Sequence, residues 1–242
     1  MIRWYNYLFS SKRHFARRMR SITGFTPASI QLFERAFLHR SNQTDDAETV
    51  NNERLEYLGD AVLGTIVADY LFRKYPRRNE GFMTKMRSKI VKRKTLNLIA
   101  EKMALDDHLQ EFNNNRLSRS MMGNALEALV GAVYLDTNYK RTYNFVVHRM
   151  LRKYVNVHRL ETYDDNYKSQ LLEYCQKRGK SVVYRVVARY KQQKRDRFKV
   201  AVLIDDKKLA EADDFNKKSA EQMASEKALH TLGVLSKSVA EV

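Results

Sequence analysis

The apolar residues of this 242-residue chain follow one period up to about Val155 and another after about His158, so two differently built units are required. From Ser29 to about Val155 they recur three and four positions apart, with few Gly or Pro, as in helices that bury one face. Pro76 and Gly81 bracket one inter-helix connection, and Asn113-Asn114-Asn115 marks another. The polar run Glu161-Thr162-Tyr163-Asp164-Asp165-Asn166 then reads as a linker. A helix follows over about Lys168–Arg178, closed by Gly179. After it the period becomes two: Tyr184, Val186, Ala188 and Tyr190 share one strand face, and Phe198, Val200, Val202 and Ile204 share another. The basic loop Lys191-Gln192-Gln193-Lys194-Arg195 separates these strands. Asp205-Asp206 turns the chain into a weak third strand. A last helix opens near Asn216, with Ala220, Ala224, Ala228 and Leu232 in one stripe. The expected architecture is an all-α domain followed by a small α+β domain of order α-β-β-β-α.

A net charge of +17 calls for a polyanionic partner, either nucleic acid or an anionic membrane face. Cys175 is the one cysteine, which excludes an internal disulfide and a Cys-rich zinc site. His14, His39, His108, His148, His158 and His230 never fall at metal-ligand spacing. A catalytic metal in such a chain is held mainly by oxygen, which points to Mg²⁺ or Mn²⁺. No apolar run is long enough to cross a bilayer. The first acidic residue is Glu34, and before it stand Arg3, Lys12, Arg13, Arg17, Arg18 and Arg20. A transit peptide or membrane-surface helix fits this start, as does a basic extension of a cytoplasmic protein; the last is the expectation taken.

The most informative segment is Asn52-Glu53-Arg54-Leu55-Glu56-Tyr57-Leu58-Gly59-Asp60-Ala61-Val62-Leu63. At about 100° per residue, Glu53, Glu56 and Asp60 fall within roughly 60° of arc, with Leu55, Leu58, Val62 and Ile66 opposite. Three like charges on one face fit either a solvated surface or a divalent cation. The second informative run, Met121 to Leu135, is apolar around Glu127. A carboxylate there needs a partner, either a buried Arg or Lys or a cation shared with Glu56 and Asp60. Asn124, one turn earlier, faces the same way with an amide oxygen.

Residues Asn52 to Leu63 resemble the signature motif of the ribonuclease III family, and Asn124 to Leu135 resemble its second acidic motif. Ala36-Phe37-Leu38-His39-Arg40-Ser41 and Met83 to Val91 match further family segments in order. The resemblance implies a homodimer with one magnesium-dependent site per subunit. It places the metal ligands at Glu56, Asp60, Asn124 and Glu127, with Asp60 and Glu127 catalytic and Glu53 a supporting acid. Asn124 stands where the family usually has Asp, so the site carries one negative charge fewer. The implied activity is endonucleolytic hydrolysis of double-stranded RNA, leaving 5′-phosphate and 3′-hydroxyl ends with short 3′ overhangs. Processing of ribosomal RNA, messenger RNA and other structured transcripts in the cytoplasm goes with it.

The C-terminal unit resembles a double-stranded RNA-binding domain, through Lys168, Ser169 and Glu173 in its first helix and Lys217-Lys218 with Ala220-Glu221-Gln222 in its last. Lysines oppose the dipole of a first turn unless phosphates arrive there. Lys194 and Arg195 complete the expected RNA-binding set. Leu172 replaces a usual minor-groove glutamine and the Lys191–Arg195 loop lacks the usual Gly-Pro-x-His, so binding leans on charge. The expected division is a basic extension at 1–24, a helical catalytic domain at 25–158, a linker at 159–166, the RNA-binding domain at 167–235 and a tail at 236–242. A non-catalytic RNA-binding protein, favoured by Asn124, and a DNA nuclease are the competing readings.

Overall fold

The computed structural model describes residues 1–39, 51–113, 119–162, 166–192 and 195–235, with 119, 120 and 162 described by backbone alone. The chain divides into two compact units, Met1–Thr162 and Tyr163–Val242.

In the first unit, α1 (Ile2–Leu8) and α2 (Arg13–Thr23) lead into α3 (Ile30–Phe37), α4 (Glu53–Lys74), α5 (Glu80–Val91), α6 (Arg93–Lys102), α7 (Asp106–Phe112) and α8 (Arg119–Asp136). Helix α9 (Tyr139–Asn144) continues as a π-helical stretch, Phe145–Leu151, then α10 (Arg152–Tyr154) and α11 (Val157–Thr162). The centre is α8, which packs on α3, α4, α6 and α7. Its Ala125, Leu126, Ala128, Leu129, Val130, Ala132 and Val133 are all fully buried. The buried stripe of α4 runs through Leu55, Gly59, Leu63, Ile66, Val67 and Tyr70. Leu58 and Val62, assigned to that stripe from the sequence, are only half-buried, because the closest approach to α8 runs along Gly59 instead.

The basic start folds onto this unit. Met19 and Ala16 of α2 are buried. In α1 it is the polar residues that face inward: Arg3 reaches Asp136 Oδ2 at 2.7 Å, and Asn6 Nδ2 donates to the carbonyls of Pro27 (3.0 Å) and Ala28 (2.9 Å). Ile2, Trp4, Tyr5 and Phe9 point outward and are exposed.

The second unit has α12 (Tyr167–Gln176), β1 (Val182–Gln192), β2 (Arg195–Ile204), β3 (Lys207–Asp214) and α13 (Lys217–Thr231). The antiparallel sheet runs β1-β2-β3. Leu171, Cys175, Val202, Ile204, Ala212, Ala224, Ala228 and Leu229 form its core. Asp205 and Asp206 both take positive φ, 48° and 62°, which makes the tight β2–β3 turn. Gly179 has φ +65°, the left-handed step out of α12. Two expectations need correction. A bulge between Val186 and Ala188 shifts the register, so Ala188 and Tyr190, paired with Lys199 and Arg197, leave the face of Tyr184 and Val186, which pair with Val202 and Val200. The expected five-residue basic loop is mostly strand, since Gln192 pairs with Arg195.

Candidate active site

The crossing of α4 and α8 is set by two glycines. A Cβ on Gly59 would lie 1.7 Å from the Glu127 carbonyl oxygen, and one on Gly131 would lie 2.4 Å from that of Leu55. The two backbones therefore touch without intervening side chains. One turn on either side of the contact, Glu56 and Asp60 of α4 meet Asn124 and Glu127 of α8 around an open cleft of about 490 Å³. His39, Asn52, Glu53, Tyr57 and Arg93 complete its lining.

The start of α4 is anchored from below. Asn52 is 1% exposed; its N–H donates to the Leu38 carbonyl at 2.9 Å, and its own carbonyl accepts from Glu56 N–H at 2.8 Å. Asn51 Oδ1 accepts from Glu53 N–H at 3.0 Å, satisfying one of the helix's open donors. His39 is held at the rim through its N–H, which donates to Asn113 Oδ1 at 2.8 Å. Asn113, assigned to a loop from sequence, is fully buried and also donates to the carbonyls of Phe37 and Leu109. Arg40 and Ser41 lie outside the described residues.

Charge crowding is visible in the acids. Burial, then the Asp60 and Glu56 carboxylates, push the Glu127 carboxyl up to about 7; Arg93 pulls the other way. Glu56 is also raised, first by burial, against the opposing charge of Arg93, with Glu53 and Asp60 adding to the rise. Glu53 itself is exposed at the cleft's edge. Glu127 is half-buried, so it neither sits in the apolar interior nor relies on a buried cation. Among the described residues, no three His, Cys, Asp or Glu side chains converge as a finished metal cage. The groups facing the cleft are nonetheless hard oxygen donors with mutually repelling charge, the chemistry that suits a small divalent cation.

Arg93 is the residue that sequence reading missed. It opens α6, and its Nη1 donates to Asn124 Oδ1 at 2.6 Å. One arginine among the seven basic residues from Glu80 to Lys102 carries no sequence signal; only the packing of α6 on α8 brings it to the cleft.

In the second unit, the predicted RNA-binding residues separate. Lys217 and Lys218 are exposed in the first turn of α13, where the Asn216 side chain caps Lys218 N–H at 2.8 Å. Glu173 is exposed, Ser169 half-buried and Arg195 exposed at the β1–β2 hairpin; Lys194 lies outside the described residues. Lys168 turns inward instead, its Nζ 2.6 Å from Glu221 Oε2 and 4.6 Å from the centre of the Tyr184 ring. It ties α12 to α13.

Residues 29–154 match the ribonuclease-III-like family and residues 167–232 match the double-stranded RNA binding motif. The chain belongs to the ribonuclease III family. It is an endoribonuclease of double-stranded RNA, from a metal-dependent family. Proteins named Ribonuclease 3 from Zunongwangia profunda and Leptospira interrogans are 39% and 36% identical to it. The first alignment covers 90% of this chain and 91% of the relative, the second 84% of each. Among solved structures, the nuclease domain of ribonuclease III from Campylobacter jejuni is similar with a TM-score of 0.51 and 29% identity. That match covers 57% of this chain and 96% of the other. No described helix is long and apolar enough to cross a membrane.

Proposed function

We propose that the cleft between α4 and α8 is the hydrolytic centre, with Glu56, Asp60, Asn124 and Glu127 holding Mg²⁺, or Mn²⁺ in its place. The observation that carries this is that three carboxylates and one amide, from two helices crossing at backbone contact, line one cleft. When bound, the metal supplies Lewis-acid stabilisation and lowers the pKa of the attacking water. The protein's own groups do the rest. Glu56 and Asp60, fixed on one α4 face, orient the water and the phosphate. Burial and the Asp60 and Glu56 carboxylates push the metal-free Glu127 carboxyl up to about 7, a crowding that a bound cation would relieve. Glu53 strengthens the negative field at the rim. The water oxygen bonds to phosphorus while the P–O3′ bond breaks; the water gives up a proton to solvent and the departing 3′ oxygen takes one from solvent. The products are a 5′-phosphate and a 3′-hydroxyl.

The second unit delivers the duplex. Lys217 and Lys218 meet phosphates at the α13 N-terminus, with Ser169, Glu173, Lys194 and Arg195 along the same duplex and Lys168 acting as the brace that sets α12. Two copies form a homodimer, as the region of dimer formation described for the Campylobacter jejuni domain suggests. Paired sites then cut opposite strands and leave short 3′ overhangs. The setting is the cytoplasm, and the substrates are ribosomal RNA precursors and other structured transcripts.

Glu127→Gln tests the assignment. It keeps the side chain's shape and removes its charge, so cutting of a long RNA duplex should fall at least about 100-fold while duplex affinity stays close to wild type. A variant that cuts at the wild-type rate rules out Glu127 as part of the centre.

A further inference from the structure

Among the described residues, the acidic cleft holds one guanidinium, that of Arg93, and its placement is built rather than incidental. Helix α6 is pinned to the start of α8 by Asn97, whose Oδ1 accepts from Gly123 N–H at 2.9 Å. A Cβ on Gly123 would come within 2.7 Å of that oxygen, so any larger residue there would push Asn97 aside. One turn before Asn97, on the same face of α6, Arg93 reaches Asn124 Oδ1 at 2.6 Å. The same Asn124 side chain faces Glu56 and helps keep its carboxyl charged. Its amide therefore lies between a cation and an anion, accepting from Arg93 with its oxygen. An aspartate at 124 would hold Arg93 in a stronger, charge-assisted pair. Asn124 leaves the guanidinium in place but more readily shared with an incoming anion.

We propose that Arg93 grips a non-bridging oxygen of the scissile phosphodiester at the edge of the carboxylate cluster, with Asn124 as the amide that presents it. This rests on the hydrolytic centre assigned above. The side chain is exposed to the cleft, and a planar guanidinium offers a phosphate two parallel N–H donors. The phosphodiester gains negative charge on its non-bridging oxygens as water attacks. Arg93 stays protonated throughout, so its part is charge stabilisation without proton transfer. The same positive charge opposes a metal ion in the cluster. One residue thus raises the attainable rate and also raises the metal concentration required.

That double effect is the test. The full chain is prepared as wild type, Arg93→Gln, Arg93→Lys and Glu127→Gln. Single-turnover cutting of an RNA duplex is followed at saturating RNA across Mg²⁺ concentration. Mn²⁺ binding to the RNA-free proteins is read by electron paramagnetic resonance. Arg93→Gln is expected to lower the rate ceiling by about 100-fold, to bind Mn²⁺ at least as tightly as wild type, and to keep its duplex affinity. Arg93→Lys should recover part of the ceiling, since an ammonium supplies the charge without the fork. An Arg93→Gln protein that reaches the wild-type ceiling overturns the proposal. So does one whose Mn²⁺ affinity falls together with its rate, the pattern of a mere brace for Asn124. Wild-type cutting by Glu127→Gln would instead remove the hydrolytic centre itself, a separate outcome.

Discussion

Glu127 makes the strongest residue-scale statement, because its carboxyl is held near 7 against an ordinary 4.5. An unfolded chain releases that proton near 4.5, and the folded protein keeps it until about 7. Between those values the native state binds more protons, so metal-free stability falls as pH rises through the window and levels off above it. His108 works in the opposite direction. Burial holds its imidazole below the ordinary 6.5, so its share of stability is lost as pH falls. The two separate by difference: the metal-free Tm of wild type minus that of Glu127→Gln should decline from about pH 4.5 to about 7. A difference that is flat or rises there contradicts the crowding of Glu127 by Glu56 and Asp60. Asn124→Asp adds a charge beside the metal ligands. One unit charge at about 4 Å amounts to roughly 4 kcal/mol at an effective dielectric near 20. Arg93 takes up part of that charge and repulsion from three carboxylates offsets more, so the Mg²⁺ midpoint for cleavage should fall by less than about tenfold. A midpoint that rises would show that Asn124 is no weakened ligand.

At the scale of elements, the glycine crossing is the feature on which the centre depends. Gly59→Ala forces a methyl into the Glu127 carbonyl and should cost more than about 2 kcal/mol, read as a lowered Tm together with lost cleavage. A variant as stable and active as wild type would mean that α4 and α8 do not need this contact. The same scale explains what was legible in the sequence. Glu53, Glu56 and Asp60 could be placed on one face because a helix has a fixed period, and Glu127 stood out against its apolar run. Gly59 and Gly131 are present in those motifs, but their meaning lies in a neighbour 68 or more residues away. Arg93 was hidden for the same reason, its partner being 31 residues distant on another helix. The β1 bulge shifted a period-two pattern by one residue, which no local pattern records. Lys168 suits an RNA contact by its type and place; its pairing with Glu221 is visible only once α13 is folded beside α12. For α13, replacing Lys217 and Lys218 by Ala should weaken binding to all duplex sequences alike and flatten the salt dependence by about one unit of slope per lysine. Loss confined to some sequences would place these lysines on bases.

The whole molecule combines an excess of 17 positive charges with the acidic cleft between α4 and α8. The positive surface suits a duplex and the cleft suits a cation, so binding and cutting should separate. Affinity for duplex RNA should then depend on salt and not on divalent metal, whereas hydrolysis should require the metal. The most direct measurement is to incubate a long RNA duplex with the full chain across Mg²⁺ and Mn²⁺ concentrations, with and without chelator, and to follow binding and strand scission together. The expected result is binding throughout, scission only with divalent metal, and short duplex products bearing 5′-phosphates and 3′ overhangs. Binding without scission at every Mg²⁺ and Mn²⁺ concentration would contradict the account and leave a protein that holds duplex RNA without cutting it.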